Sequence, residues 1–132
     1  RVAKVLIRNK EGKFLLLELN NHPTFGNDMD LPGGTVDEGE LDLNAAVREV
    51  TEEVGLEIPI DQTKCLYAGS DYSRNGTFYA LYTATLMDTS SIKLSWEHCA
   101  LKWVEKKEAI QLASRAKDTY MHMVADELKS FN

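Results

Sequence analysis

The chain has 132 residues, of which 43% are hydrophobic and 27% are charged, and its formal net charge is −6. This length suits one domain over residues 1–132, and the composition argues against wholesale disorder. The acidic balance disfavours a binder of nucleic-acid polymers or anionic membranes, since both need surplus Lys and Arg. No apolar run approaches the 18 residues of a membrane span. We therefore expect a cytoplasmic protein, monomeric or homodimeric, without a membrane partner.

The N-terminal third predicts a β-hairpin followed by a long loop. Residues 2–8 and 13–19 are aliphatic runs, and the Asn-Lys-Glu-Gly sequence at 9–12 forms the turn between them. Residues 20–30 contain Asn, Pro, Gly and Asp without periodicity, which indicates a loop. A loop of this length is either a plain surface connection or a segment that contacts a ligand.

The rest of the chain alternates helical and strand patterns. Residues 41–54 predict a helix, because Leu43, Val47, Val50 and Val54 recur on one helical face and Gly55 follows as a stop. Residues 64–72, 77–87 and 96–104 predict strands, and apolar residues at helical spacing between 109 and 128 predict a helical C-terminal region. This interspersed order predicts an α/β layered fold with a mixed sheet.

Several residues with reactive or bulky side chains are expected to have structural roles. The two cysteines lack paired spacing, which indicates small core residues in a reducing compartment. The three histidines lack metal-ligand spacing and are expected at structural or surface positions. The two tryptophans are expected in the core. These residues are Cys65, Cys99, His22, His98, His122, Trp96 and Trp103.

Three glutamates form an acidic group on the predicted helix. Glu49, Glu52 and Glu53 fall opposite the apolar face at spacings i, i+3 and i+4, which predicts that all three are exposed. Like charges at these spacings repel by about 0.2–0.5 kcal/mol per pair. Arg48 can offset part of this by pairing with Glu52, and a Mg²⁺ ion would offset far more. The alternative is a solvated acidic helix surface.

The residues around this helix favour a site. Gly33 and Gly34 allow close approach of the backbone, although a glycine pair is also common in tight turns. Glu40 adds a fourth acid before the helix. Residues 34–56 read GTVDEGELDLNAAVREVTEEVGL, and this segment resembles the Nudix signature at every specified position. Seven fixed positions arise by chance about once in a billion starts, at roughly one in twenty per residue. The fixed residues are Gly34, Glu40, Arg48, Glu49, Glu52, Glu53 and Gly55.

The resemblance implies an α/β/α sandwich with a mixed sheet, in which the motif forms a loop–helix–loop. It also implies hydrolysis of a nucleoside diphosphate linked to another moiety, with Mg²⁺ or Mn²⁺ as cofactor. By position, Glu49, Glu52 and Glu53 would be metal ligands, together with the carbonyl of Gly33. Arg48 would orient the carboxylates, and Glu40 would help through water or through contacts behind the metal ligands. Gly34 and Glu40 are also candidates for substrate binding.

The identity of the general base is open. Glu53 is one candidate and Glu97 is another, because some members of the family take an acid from a loop near the strand that contains Trp103 and Val104. Glu97 could equally be an ordinary surface residue. No base is needed if the cation acidifies the attacking water sufficiently.

Substrate choice lies outside the motif. Phe25, Tyr72 and Arg74 are candidates for stacking a base or holding a phosphate, or they are turn and loop residues without a ligand. Asp71 and its neighbours stand where ADP-ribose hydrolases tend to have proline. These features favour a MutT-like nucleoside triphosphate pyrophosphatase. The alternatives are a hydrolase of dinucleoside polyphosphates or nucleotide sugars, and a module that binds a nucleotide without cleaving it.

Overall fold

The computed structural model describes residues 1–131. Within them, seven strands and three α-helices follow one another in an interspersed order. The strands are β1 (Val2–Arg8), β2 (Phe14–Leu19), β3 (Met29–Asp30), β4 (Gly33–Thr35), β5 (Lys64–Gly69), β6 (Tyr79–Thr85) and β7 (His98–Val104). The helices are α1 (Asp42–Val54), α2 (Lys106–Arg115) and α3 (Thr119–Lys129), and a short 3-10 turn spans Ile60–Gln62.

The strands form a mixed sheet with β1 at its centre. The main order is β3-β2-β1-β6-β5, with β4 paired to β1 and β7 paired to β2. Strand β1 runs parallel to β6 and antiparallel to β2 and β4. The predicted hairpin between β1 and β2 is present, although the two strands pair only near the turn, where Arg8 lies opposite Phe14.

Helices cover both faces of the sheet, which confirms the predicted α/β/α sandwich. Alternate residues of β1 point to opposite faces: Val5 and Ile7 pack with α1, whereas Leu6 packs with α2 and α3. A strand buried on both faces has a mainly apolar sequence, as β1 does apart from Lys4 and its terminal Arg8. No helix in residues 1–131 is long and apolar enough to cross a membrane.

Helix α1 matches its prediction in extent but not in its exposed face. It ends at Gly55, whose φ of 72° and N–H bond to the Thr51 carbonyl close the last turn. Val50 and Val54 are fully buried as expected. Glu53 is also buried, at 4% exposure, so the prediction of three exposed glutamates was wrong for this residue. Its position next to Val54 turns it toward β4 rather than toward solvent.

Several predicted elements were longer than the observed ones. The predicted loop ends earlier, because Met29 and Asp30 form β3 against β2. Strands β5, β6 and β7 are each shorter than predicted by two to four residues. The C-terminal helical region is two helices, and α3 begins where the Asp118 side chain accepts a hydrogen bond from the Tyr120 N–H.

Two structural assignments were also wrong. Cys65 and Cys99 are exposed rather than in the core. Cys65 lies on β5 at the end of the sheet order, and the Cys99 thiol donates to the Glu18 carboxylate on the solvent side of the β2–β7 pair. Trp103 packs against the core beneath α1. Trp96 precedes β7 and is 84% exposed, so the prediction of a core position for it was wrong.

Candidate active site

The two glycines of β4 bring the signature helix against the central strand. Gly33 has a φ of +144°, and a Cβ there would lie 2.4 Å from the Lys4 Cα of β1. A Cβ on Gly34 would lie 3.0 Å from the carboxyl carbon of Glu49. Side chains at either position would therefore separate β4 from β1 or push Glu49 away. The glycine pair is required by close packing, and it sets one carboxylate beside the backbone.

Glu53 lies at the bottom of the site. The backbone N–H of Gly33 donates to its Oε2 at 2.8 Å. Burial raises the pKa of Glu53 to about 8, against the lowering effects of the Gly33 hydrogen bond and the Lys4 ammonium. The neighbouring carboxylates of Asp30 and Glu97 raise the pKa further. A buried carboxylate among other acids creates a place where added positive charge is favourable.

A second buried polar group lies next to Glu53. Lys4 Nζ contacts Asp30 Oδ1 at 2.6 Å, and the His98 ring lies between the carboxylates of Asp30 and Glu53. His98 Nε2 is 3.6 Å from Asp30 and Nδ1 is 3.8 Å from Glu53, so neither ring nitrogen has a hydrogen-bond partner among residues 1–131. Burial alone would raise the pKa of Asp30, but the Lys4 ammonium outweighs it and holds that pKa at about 2.

Arg48 gathers the remaining acids of the motif. Its Nε and Nη2 donate to Glu40 at 2.9 and 3.1 Å, and its Nη1 donates to Glu49 at 3.0 Å and to Glu52 at 3.3 Å. The hydrogen bonds from Arg48 lower the pKa of Glu40. This planar group with several donors fixes the carboxylates in relation to one another. The pairing of Arg48 with Glu52 is as predicted.

Glu53 and the β4 glycines border a cleft of about 170 Å³. Its buried lining side chains are mostly charged, and its more accessible ones are a mixture of aromatic, apolar and acidic side chains. Its lining residues are Lys4, Leu19, His22, Phe25, Asp28, Met29, Asp30, Gly33, Gly34, Glu53, Glu97 and Asp118. Glu97 thus lies in the same cleft as Glu53, although the two are far apart in sequence.

The substrate-binding candidates are placed unequally. Phe25 lines the cleft and stacks on His22, with ring centroids 5.0 Å apart. Phe25 and Asp118 also line an adjoining recess of about 220 Å³, which includes Arg74. Tyr72 lies apart from both, because its hydroxyl donates to Asp126 on α3 at 2.7 Å. The structure therefore brings Phe25 and Arg74, but not Tyr72, to the region of Glu53.

The acids present fit a hard divalent cation in their chemistry. Carboxylate and carbonyl oxygens are the donors that Mg²⁺ prefers, and Glu49, Glu53 and the backbone of Gly33 meet at the β4 glycines. Arg48 donates hydrogen bonds to Glu49 and Glu52. Within residues 1–131, no three acidic, histidine or cysteine side chains form a ready-made metal cluster.

Comparison with known proteins identifies the same family as the sequence motif. The chain matches the NUDIX domain over residues 1–124. It is 34% identical over 119 residues to the asymmetrical bis(5'-nucleosyl)-tetraphosphatase of Caenorhabditis elegans, covering 85% of this chain and 83% of that protein. It is 38% identical over 56 residues to the 8-oxo-dGTP diphosphatase of Haemophilus influenzae, covering 42% of this chain and 41% of that protein.

Solved structures are similar over nearly the whole chain. A binary complex of the C. elegans Ap4A hydrolase has a TM-score of 0.77 at 26% identity, covering 99% of this chain and 95% of that one. The MutT protein of Methanosarcina mazei Go1 shares the fold, with a TM-score of 0.73 at 24% identity over 97% of this chain and 88% of that one. The chain belongs to the Nudix family. More particularly, it is a Nudix pyrophosphohydrolase, an enzyme that acts on phosphoanhydride bonds.

Sequence reasoning missed the buried group of Lys4, Asp30 and His98. One signal was available, because Lys4 interrupts an otherwise apolar strand and a buried lysine needs a partner. His98 gave no such signal, since its acidic neighbours Asp30 and Glu53 lie on β3 and α1, which are remote in sequence.

Proposed function

We propose that the protein hydrolyses a phosphoanhydride bond of a nucleoside polyphosphate in the cleft above Glu53, with Mg²⁺ or Mn²⁺ as cofactor. The single observation that supports this is Glu53 itself, a carboxylate buried beside the β4 glycines with Asp30 and Glu97 nearby. Burying a carboxylate is costly unless a positive charge compensates it. A cation held at this point would provide that compensation.

The residues of the chain would have distinct tasks. Glu49, Glu52, Glu53 and the Gly33 carbonyl would hold the cation, and Arg48 would keep the first two in place. When bound, the cation supplies positive charge that offsets the negative charge gathering on the phosphate oxygens. Gly34 would let a phosphate approach the backbone without obstruction by a side chain. Glu40 would act on the site through Arg48, which it binds with both oxygens.

Glu97 is the preferred general base. It lines the cleft in an exposed loop that is joined to the end of α1 by a hydrogen bond from the Ser95 N–H to the Glu53 carbonyl, where it can contact a water molecule that approaches the substrate. The water oxygen would attack phosphorus as its proton passes to Glu97. The phosphorus–oxygen bond of the anhydride would break, and its electron pair would leave with the departing phosphate. Glu53 is the second candidate for this role.

Two substrate classes would suit this site equally well. Nucleoside triphosphates are the first choice from the sequence, with the base near Phe25 and a phosphate near Arg74. Dinucleoside polyphosphates are the second choice, and the similarity to the C. elegans tetraphosphatase over 83% of that protein favours them. Both would place the scissile anhydride at Glu53, and they differ only in the group at the far end of the phosphate chain.

The experiment is a substrate screen with purified protein and Mg²⁺, repeated with excess chelator. Nucleoside triphosphates, dinucleoside polyphosphates, ADP-ribose and nucleotide sugars would be compared by chromatography of the products. We expect turnover of at least one class with Mg²⁺, none in chelator, and an unchanged melting curve in chelator, because α1 is anchored by its apolar face. Binding without cleavage of any class would instead identify a nucleotide-sensing module.

A further inference from the structure

A second recess opens beside the cleft, and apart from Glu97 none of its lining residues has a role in the proposed reaction. Its volume is about 320 Å³. It shares Leu19, His22 and Glu97 with the cleft above Glu53, so the two spaces adjoin each other. It shares no lining residue with the recess that contains Arg74. The lining residues are Leu19, Asn20, Asn21, His22, Pro23, Trp96 and Glu97.

Trp96 is the unusual member of this recess. Its exposure of 84% is high for tryptophan, which is strongly buried on average. Its backbone is nevertheless held in place, since the Asn20 side chain donates to the Trp96 carbonyl at 3.2 Å and the Asn20 N–H donates to the Glu97 carbonyl at 3.0 Å. The indole is therefore presented to solvent by two loops that are hydrogen-bonded to each other.

We propose that this recess binds the second nucleoside of a dinucleoside polyphosphate, with its base stacked on Trp96. An exposed aromatic ring binds any nucleobase through its π-face. The Asn20 and Asn21 amides add donors and acceptors for polar groups of the nucleoside. Because the recess meets the cleft at Glu97, a polyphosphate lying across the cleft would place one nucleoside near Phe25 and Arg74 and the other on Trp96.

This inference rests on the proposed function and chooses between its two substrate classes. A nucleoside triphosphate has one base and would occupy the Phe25 side alone. A dinucleoside polyphosphate has two and would use both recesses. Trp96 therefore acts as a determinant of specificity rather than of catalysis, and its loss would weaken binding of one class only.

The first test is a binding measurement that does not need turnover. The chain has two tryptophans, so Trp103→Phe leaves Trp96 as the only indole. In chelator, we expect diadenosine tetraphosphate to quench the fluorescence of this variant with saturation, and ATP to quench it at least tenfold more weakly. Trp96→Ala, which retains Trp103, would show no saturable quenching. Equal quenching by both nucleotides, or none by either, would overturn the proposal.

The second test is kinetic, with Met87→Ala as control, because Met87 is 67% exposed and lies away from the cleft. For diadenosine tetraphosphate, Trp96→Ala is expected to raise KM about tenfold with little change in kcat, while Trp96→Phe restores most of the affinity. For ATP, kcat/KM should stay within twofold in all three variants. A wild-type rate for the dinucleotide in Trp96→Ala, or equal losses for both substrates, would refute the recess assignment.

The two proposals fail in different ways. If wild-type protein cleaves no nucleotide, the proposed function is wrong, and the quenching titration still decides whether Trp96 binds the second base. If the Trp103→Phe variant shows no saturable quenching and Trp96→Ala cleaves the dinucleotide at the wild-type rate, while Glu52→Gln abolishes turnover, the proposed function stands and the second nucleoside site is rejected.

Discussion

Helix α1 presents carboxylates to two different surroundings. On one side, the half-buried Glu49 and the exposed Glu52 share the guanidinium of Arg48. On the other, Glu53 is buried, receives the Gly33 N–H, and has Asp30 and Glu97 as acidic neighbours. The two sides are one residue apart in the sequence, and the orientation of the helix over β4 separates them.

The difference shows how the protein distributes charge compensation. Exposed ion pairs contribute little to stability, so the main effect of Arg48 is to fix the geometry of its partners. Glu53 has no comparable cationic partner on the helix, and the nearest ammonium, on Lys4, is already bound to Asp30 at 2.6 Å. One side is therefore neutralised by the protein itself, and the other is left to be neutralised by a bound ligand.

The largest effects are expected when the charge of one carboxylate on each side of α1 is removed in turn. We expect Glu53→Gln and Glu52→Gln each to lower kcat about a thousandfold, since losing about 4 kcal/mol of charge stabilisation at 1.36 kcal/mol per decade has that effect. Without metal, the melting temperature should hold or rise for Glu52→Gln, because repulsion with Glu49 is removed. It should hold for Glu53→Gln, because Gln still accepts the Gly33 N–H. Steady-state rates and melting curves measure both.

Glu57→Gln is the matched control for these variants, because Glu57 is an exposed glutamate just beyond α1. It should leave both the rate and the melting curve unchanged. Near-native rates in both Glu52→Gln and Glu53→Gln would show that the acids form only a solvated helix surface.

A stability measurement sharpens the role of the buried ion pair. Asp30→Asn leaves Lys4 charged and buried without its partner, which should lower the free energy of unfolding by about 3 kcal/mol at pH 7. The pKa of Asp30 is about 2 in the folded protein against an ordinary 3.8. Its contribution is therefore complete above about pH 4 and is lost as the pH falls toward 2.

Urea denaturation of wild type and Asp30→Asn across this range provides the check, with exposed Asp61→Asn as control. The difference between wild type and Asp30→Asn should shrink as the pH approaches 2. A difference that is constant from pH 7 to pH 2 would mean that the carboxylate charge is not its source.

The next effect concerns Glu97, in the loop that precedes β7. If Glu97 is the general base, Glu97→Gln should lower kcat at least a hundredfold, the usual size for loss of such a group. The fold should be unaffected, because Glu97 is exposed. A decrease of less than about threefold would remove Glu97 from the reaction and favour Glu53. Single-turnover rates with saturating substrate separate this effect from weaker binding.

The smallest effect is expected at Arg48. Lysine keeps the charge but cannot donate from two nitrogens in one plane to Glu40, so Arg48→Lys should lower kcat about tenfold. Stability should change by less than about 0.5 kcal/mol, as for other exposed pairs. Arg115→Lys, at the exposed end of α2, controls for the substitution itself. An unchanged rate in Arg48→Lys would show that Arg48 supplies charge alone.

The layered fold and helix α1 could be predicted because their information is local. The periodicity of Val50 and Val54 and the stop at Gly55 lie within a few turns, and the signature residues are contiguous. The helical wheel was a poorer guide to Glu53, since it treats one side of a helix as solvent. The strand β4 covers part of that side, and this arises only from pairing between β4 and β1.

The environment of the cleft could not be read from the sequence for the same reason. Asp30, His98 and Lys4 lie on β3, β7 and β1, and the sheet brings them together through pairings that have no local pattern. Trp96 was misplaced because residue type favours burial, whereas its position just before β7 leaves it on a loop. Long-range pairing decided the outcome in each case.

The parallel pairing of β1 with β6 has a consequence for how the chain is made. Val2 on β1 pairs with Tyr79 on β6. At about 5–20 residues per second, β1 therefore leaves the ribosome several seconds before β6 is synthesised. Strands β2 and β4 are made sooner, so during that time β1 remains an aliphatic strand with one unpaired edge, which favours association with other nascent chains. Lys4 interrupts it, and a charge in such a run reduces self-association. Lys4, which later pairs with Asp30, is thus also expected to reduce association of the nascent chain.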